Sequence, residues 1–210
     1  KLSKFFKKKN IILILDEIIT GLRTDCSSVQ NKYNLYSDIS TFGKAFGNTM
    51  PIAFIGIKKK IEKKLSSKKV TVFFGGTFSG NSFSMYAANE FLKFVIRFKK
   101  KIFQNLNINS FKFCNDLNKH INKENINARV INFSSVIRLI FSKEIPKNRL
   151  QRDFFERKNL SKRKIIIGFL KKQKIIFPSN GIIFLNSSIK TKEINNLVKI
   201  ISRGLSIYFK

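Results

Sequence analysis

The residues best suited to chemistry in this 210-residue chain are a lysine, an aspartate and a hydroxyl-bearing glycine turn. Lys44 lies in Ser40-Thr41-Phe42-Gly43-Lys44-Ala45-Phe46-Gly47-Asn48. A lysine ε-amine condenses with an aldehyde only when deprotonated, so a lysine used that way needs a depressed pKa. A desolvated position at a strand end, flanked by Phe42 and Phe46, is expected to supply part of that depression. The glycines at 43 and 47 leave room for a flat ring beside the backbone. Asp16 stands 28 residues upstream, where the apolar run Ile11-Ile12-Leu13-Ile14-Leu15 ends abruptly in charge. Ligands of open α/β sheets gather at the carboxyl ends of such strands. An aspartate there can also serve as a cap or loop residue, the lesser reading, and most of the other lysines read as surface residues. The third stretch, Gly75-Gly76-Thr77-Phe78-Ser79-Gly80-Asn81, has the glycines and hydroxyls of a loop that approaches an anion closely.

The elements that must position these residues follow from apolar patterning. Ile11–Leu15 is short and bounded by charge, which predicts a buried parallel strand rather than a helix. A loop with one short helix is expected over Thr20–Tyr36. Strands are expected over Asp38–Phe42, Ile52–Ile57 and Val70–Phe74, with a helix over Lys58–Ser66. Asn81 can cap a helix running from Ser82 to about Phe103. Alternating short strands and helices imply a mostly parallel sheet. From Asn105 the chain becomes polar and asparagine-rich, which places a boundary near there. Beyond it a helix is expected over Phe111–Asn122, then strands over Arg129–Phe133 and Val136–Phe141. Residues 146–173 read as mostly helical with a break near Gly168. Ile175–Phe177 and Ile182–Leu185 are expected to pair, and Thr191 to cap a last helix with Glu193 in its first turn.

Composition excludes several classes. The 42 basic and 12 acidic residues give a net charge of +30, the usual mark of a polyanion-binding protein. Here, however, the basic residues are scattered from end to end, and 33 of the 42 are lysines. Abundant Lys, Asn, Ile and Phe are what an A+T-rich coding sequence produces, so no specific nucleic-acid partner is expected. Cys26 and Cys114 have no metal-site spacing and read as reduced thiols, and His120, the only histidine, reads as a solvated helix residue. No metal is therefore expected. Basic residues before an apolar run superficially suggest a signal peptide, but the run is short and Asp16-Glu17 replaces a cleavage site. No stretch approaches the ~20 apolar residues of a membrane helix. The chain opens on Lys rather than Met and reads as a piece of something longer.

Leu15-Asp16-Glu17-Ile18-Ile19-Thr20-Gly21-Leu22-Arg23, Gln30 to Lys44, Pro51-Ile52-Ala53 and Gly76 to Asn81, in this order, resemble the class III aminotransferase family of pyridoxal-phosphate enzymes. The likeness is closest to the glutamate-1-semialdehyde 2,1-aminomutase branch. It is strong over roughly the first 95 residues and weaker beyond, including Ser187 to Glu193. The resemblance implies an α/β, fold type I chain: residues 1–104 as the second half of the cofactor-binding large domain, and residues 105–210 as a small α+β C-terminal domain. It implies that Lys44 holds pyridoxal phosphate covalently and moves a proton, and that Asp16 keeps the cofactor's pyridine nitrogen protonated. It places Ile18 against the ring face, although a branched apolar residue there serves equally as core. It has Thr77 reach the phosphate from a neighbouring subunit, which implies a homodimer with a shared active site. Glu17, on the opposite side of an extended chain, is expected to make structural pairs.

What the resemblance implies as activity is amino-group transfer on a small molecule in the cytoplasm: glutamate-1-semialdehyde to 5-aminolevulinate, or transamination of another amino, keto or sugar substrate. The family's other phosphate loop and its ring-stacking aromatic lie upstream of Asp16, outside this sequence. Where many class III aminotransferases carry a carboxylate-binding arginine, the chain reads Phe177-Pro178-Ser179-Asn180-Gly181. The missing arginine favours the aminomutase branch over the ω-amino-acid transaminases. A decayed, inactive remnant and a basic nucleic-acid-binding protein are the competing readings.

Overall fold

Two short strands pair in parallel near the front of a mixed α/β chain. The computed structural model describes residues 2–26, 28–66 and 75–209, which form two compact units, 1–101 and 102–210. In the first unit a short helix α1 (Leu2–Lys8) precedes β1 (Ile14–Asp16), α2 (Val29–Tyr33) and β2 (Ile39–Phe42). A 3-10 turn (Lys44–Phe46) leads to β3 (Phe54–Ile57), α3 (Lys59–Leu65) and the start of α4 (Ser82–Lys123). The sheet order is β1-β2-β3. β1 runs parallel to β2, and β3 returns antiparallel, Phe42 opposite Phe54. A parallel return needs a crossover of a dozen or more residues, and the short Gly43–Ala53 link is not one. The expected strand over Val70–Phe74 lies outside the described residues.

β1 is not buried, contrary to expectation: Ile14 is 58% exposed, and Ile11 and Ile12 are similarly open. Among the described residues β2 is its only strand neighbour. Asp38 fastens the two at their entry. Its Oδ2 accepts from Leu13 N–H at 2.9 Å, its Oδ1 from Lys58 Nζ at 2.9 Å, and its own N–H donates to Leu13 C=O. The Leu13 hydrogen bond, with help from Lys58, holds the Asp38 carboxyl below the usual carboxylate range.

Asn81 caps α4, its Oδ1 accepting from Ser84 N–H at 2.9 Å. The helix then runs for 42 residues without a break, where two helices flanking a boundary were expected. The asparagine-rich stretch holds no Gly or Pro, and tertiary partners take up its polar side chains. Asn109 Nδ2 donates to Ile189 C=O, Asn107 Oδ1 accepts from Ser134 Oγ, and Ser110 Oγ donates to Ser134 C=O. Weak helix propensity loses to those contacts. The boundary between units falls inside the helix, at Lys101/Ile102.

In the second unit β4 (Arg129–Phe133) and β5 (Val136–Ile140) form a hairpin through Ser134-Ser135, as expected. The Asn118 side chain acts as one more strand residue on the β4 edge, exchanging both hydrogen bonds with Val130 at 2.8 Å. α5 (Arg149–Lys158) and α6 (Leu160–Lys172) follow. The break lies at Asn159, whose Nδ2 and N–H both fall on Phe155 C=O, and not at Gly168, which sits within α6. β6 (Ile182–Phe184) pairs with β5, and α7 (Thr191–Phe209) closes the unit.

Ile175–Phe177 forms no strand: β5 takes β6 as its partner, Phe177 is buried singly, and Ile176 is 97% exposed. The α7 cap is Lys190 rather than Thr191, because Glu193 Oε2 reaches back to the Lys190 N–H at 2.7 Å, half of a capping box. His120 is half-buried instead of solvated, with Nε2 2.9 Å from Ser206 Oγ on α7.

The core of this unit comprises Phe113, Leu117 and Ile121 of α4, Ile137 and Ile140 of β5, Ile166 and Leu170 of α6, and Ile194 and Leu205 of α7. Each such side chain contributes about 1.5–3 kcal/mol on burial. One charged group interrupts it. Arg138 of β5 and Arg163 of α6 converge on Glu156 Oε1 of α5, with Arg163 Nη2 at 3.5 Å and its side chain 9% exposed. Arg138 Nη2 also donates to Asn180 C=O at 3.1 Å. Burial lowers the Arg138 pKa. Cys114, buried in the same unit, has its thiol pushed up to about 12 by desolvation and is inert at neutral pH.

Candidate active site

In the parallel β1–β2 ladder Asp16 stands opposite Thr41, and the Glu17 N–H continues it by donating to Thr41 C=O at 2.9 Å. Opposed residues of neighbouring strands share a face, so the Asp16 and Thr41 side chains meet. Asp16 Oδ1 accepts from Thr41 Oγ1 at 3.3 Å and from the Ile18 N–H at 2.9 Å. Lys44 follows Thr41 by three residues, past the carboxyl end of β2. Its φ is +49°, in the left-handed region. The strand ladder thus brings Asp16, Ile18 and Lys44 to one end of the sheet.

Lys44 is exposed, so the expected desolvation by Phe42 and Phe46 is not seen. The rings pack on one another instead. Phe42 stacks on Phe54 at 5.0 Å between centroids, and Phe46 meets both edge-on. The buried Phe46 ring also lies over Gly21, where an added Cβ would come within 2.4 Å of it. Ile18 is half-buried. Thr77 is exposed in the turn before α4, where Ser79 N–H donates to Gly76 C=O at 2.9 Å. Among the described residues no hydrogen bond links Thr77 to Asp16, Ile18 or Lys44.

The opposite face of the ladder is a buried polar network. Glu17, 2% exposed, accepts from Gln30 N–H at 3.0 Å, from Val29 N–H at 3.2 Å and from Thr20 Oγ1. It therefore makes the structural contacts expected of it. Gln30 Nε2 donates to Ser40 Oγ at 2.8 Å, while its Oε1 accepts from Ser37 N–H and Oγ. Gln30, Ser37, Ser40 and Thr41 lie within the motif that the sequence displays, but the sequence alone assigns none of them a role. The signal was the alternation Ser40-Thr41 on a strand, which sends one hydroxyl to each face.

What the residues present can do is limited and specific. Among the described residues both bonds to Asp16 fall on Oδ1 and leave Oδ2 for another donor, and the exposed Lys44 amine lies just past the neighbouring strand. An anionic carboxylate and a primary amine at one sheet end fit a cationic heterocycle carrying an aldehyde. Among the described residues no group of three or more His, Cys, Asp and Glu is arranged to hold a metal ion.

Comparison with solved structures shows the fold of the fold type I pyridoxal-phosphate transferases. A glutamate-1-semialdehyde aminomutase from Pseudomonas aeruginosa PAO1, solved with PMP, aligns at a TM-score of 0.85, covering 97% of this chain and 46% of that one at 14% identity. An omega-transaminase from Sphaerobacter thermophilus aligns at 0.83, over 97% and 46%, at 17% identity.

The class III aminotransferase family model matches residues 1–162, and the chain belongs to that family. Glutamate-1-semialdehyde 2,1-aminomutase of Wigglesworthia glossinidia brevipalpis is 43% identical over 93 residues, 44% of this chain and 21% of the relative. Its counterpart in Nitrosopumilus maritimus is 30% identical over 196 residues, 92% of this chain and 45% of the relative. The chain spans less than half the length of these relatives.

Proposed function

We propose that this chain is the lysine-bearing part of a pyridoxal-phosphate enzyme that moves an amino group, of the glutamate-1-semialdehyde 2,1-aminomutase type. The observation that carries it is the parallel register of Asp16 with Thr41, which sets an aspartate and Lys44 at the ends of adjacent strands. Bound pyridoxal phosphate supplies an electron sink for a carbanion at the amino-bearing carbon. Lys44 Nζ would hold the cofactor at its aldehyde carbon and would carry a proton to and from the substrate carbon. Asp16 keeps the proton on the ring nitrogen, because an adjacent anion favours the cationic form. Ile18 flanks the ring. Thr77 donates to the phosphate of a second subunit's site, which makes the enzyme a homodimer. Residues 1–104 belong to the cofactor domain and residues 105–210 to the small domain.

Curated relatives named as aminomutases support the aminomutase over a transaminase with another substrate, as does the stretch 177–181 with no arginine. The enzyme acts on a small molecule in the cytoplasm, without a specific nucleic-acid or membrane partner. Among the described residues no helix is long and apolar enough to cross a membrane. The test uses the full-length protein carrying this chain. Incubation with pyridoxal phosphate should give a visible absorbance band that borohydride abolishes, with the reduced adduct on the peptide containing Lys44. Lys44→Ala should lose the adduct and turnover, whereas Asp16→Asn should keep the adduct and lose turnover. An adduct on a different lysine sinks the assignment.

A further inference from the structure

Both hydrogen bonds accepted by Asp16 converge on a single oxygen. Oδ1 takes the Ile18 N–H at 2.9 Å and the Thr41 hydroxyl at 3.3 Å. An ionised carboxylate has two equivalent oxygens with about four acceptor positions between them. Here the two donors come from different segments, one two residues past the end of β1 and one from β2, and they distinguish the oxygens. A half-turn of the carboxylate merely exchanges them, but any intermediate rotation breaks both bonds. Oδ2 alone then remains for a ligand.

We propose that Thr41 is a positioning residue. It commits Oδ1 of Asp16 and thereby presents Oδ2, in a fixed orientation, to the ring nitrogen of a bound pyridine cofactor. The assignment rests on the reading of Asp16 as that nitrogen's partner. Thr41 is equipped for the task from behind. Its neighbour Ser40 is buried on the opposite face, held by Gln30 Nε2 at 2.8 Å and by Ser37 Oγ at 2.5 Å. Glu17 in turn holds the Gln30 backbone at 3.0 Å. Strand β2 is thus pinned one residue before Thr41. The β-branched side chain adds its own stiffness at χ1, so the hydroxyl reaches Asp16 with little freedom left to lose.

The experiment compares Thr41→Val, which keeps the shape and removes the donor, with Thr41→Ser, which keeps the donor, and Asp16→Asn, all in the full-length protein. Thr41→Ala is the second donor-free variant should the valine protein not fold. Two readouts are taken apart from turnover. One is the dissociation constant for pyridoxal phosphate added to apoprotein. The other is the 15N shift of cofactor labelled at the ring nitrogen, followed with pH. Thr41→Val should weaken cofactor binding about tenfold and move the ring-nitrogen titration to lower pH. That shift should have the direction of Asp16→Asn and a smaller size, and Thr41→Ser should recover most of both effects. If Asp16→Asn moves the 15N shift while the donor-free variants match the parent within about twofold, Thr41 does not position Asp16. If Asp16→Asn itself leaves the 15N shift unchanged, the reading of Asp16 fails, and the role of Thr41 with it.

Discussion

Replacing Glu156 by Gln removes the carboxylate shared by one buried and one largely buried guanidinium, while keeping the shape of the side chain. Arg138 and Arg163 both point at Glu156 Oε1, and the three side chains are 9–17% exposed. Burial already lowers the Arg138 pKa, which measures how poorly that site solvates a cation. Breaking a buried pair by deleting one partner costs about 3–5 kcal/mol, because the remaining charge is left without compensation. At a urea dependence of ~2 kcal/mol per molar, the unfolding midpoint should fall by about 1.5–2.5 M. Hydrogen exchange should report the loss first at β5 and β6, since Arg138 sits on one and also holds Asn180 before the other. A triple replacement, Arg138→Met, Glu156→Leu and Arg163→Met, should lie within about 1 kcal/mol of the parent or above it, since apolar replacement of a whole buried cluster is commonly neutral or stabilising. A Glu156→Gln cost below about 1 kcal/mol would refute the reasoning, because it means that water already compensates both arginines.

Asp38→Asn should cost about 1 kcal/mol at neutral pH, since the residue is partly exposed and its bond with Lys58 is screened. The folded-state pKa of Asp38 is lowered, so its contribution is complete above the unfolded value of ~3.9 and disappears as pH falls through the folded value. The acid limb of a stability–pH curve should therefore be shallower in the variant, and an unchanged limb argues against the coupling. Gly204→Ala should destabilise by about 1–3 kcal/mol, because the added Cβ would come within 2.5 Å of Phe169 Cδ1 and 2.8 Å of Ile166 Cδ1; a thermal melt decides it. Binding to DNA or RNA should be weak and without sequence preference, falling steeply with salt, and submicromolar selective binding at physiological salt would contradict the view of the +30 charge as incidental.

Local signals served well where one residue decides the outcome. Asn81 before an apolar run capped a helix, Ser134-Ser135 between alternating runs made a hairpin, and Leu15-Asp16 ended a strand. They failed where a distant partner decided. Asn105 to Ser110 reads as a gap between two helices until Ser134 and Ile189 take up its side chains, and Gly168 reads as a break until Asn159 folds back on Phe155. Ile175–Phe177 has every strand preference, yet β5 was already committed to Ile182–Phe184. At the candidate site, the placement of Asp16 and Lys44 at adjacent strand ends was legible in the apolar runs that precede them. The contact of Thr41 with Asp16 was not, because it depends on which residue the ladder sets opposite. The exposure of Lys44 was also illegible, since it arises from Phe42, Phe46 and Phe54 choosing one another.

The left-handed backbone at Lys44 has an implication for how this chain trades durability against chemistry. A side chain other than glycine's held at φ +49° costs on the order of 1–3 kcal/mol, and glycine would occupy the position without that cost. Lys44→Gly should accordingly melt later than Lys44→Ala, and no earlier than the parent, while having no amine to offer. Selection for robustness alone would drift this position towards glycine. Under the function proposed for Lys44, catalysis and stability pull in opposite directions at this position, and the melting temperatures of these variants report on that conflict without any substrate.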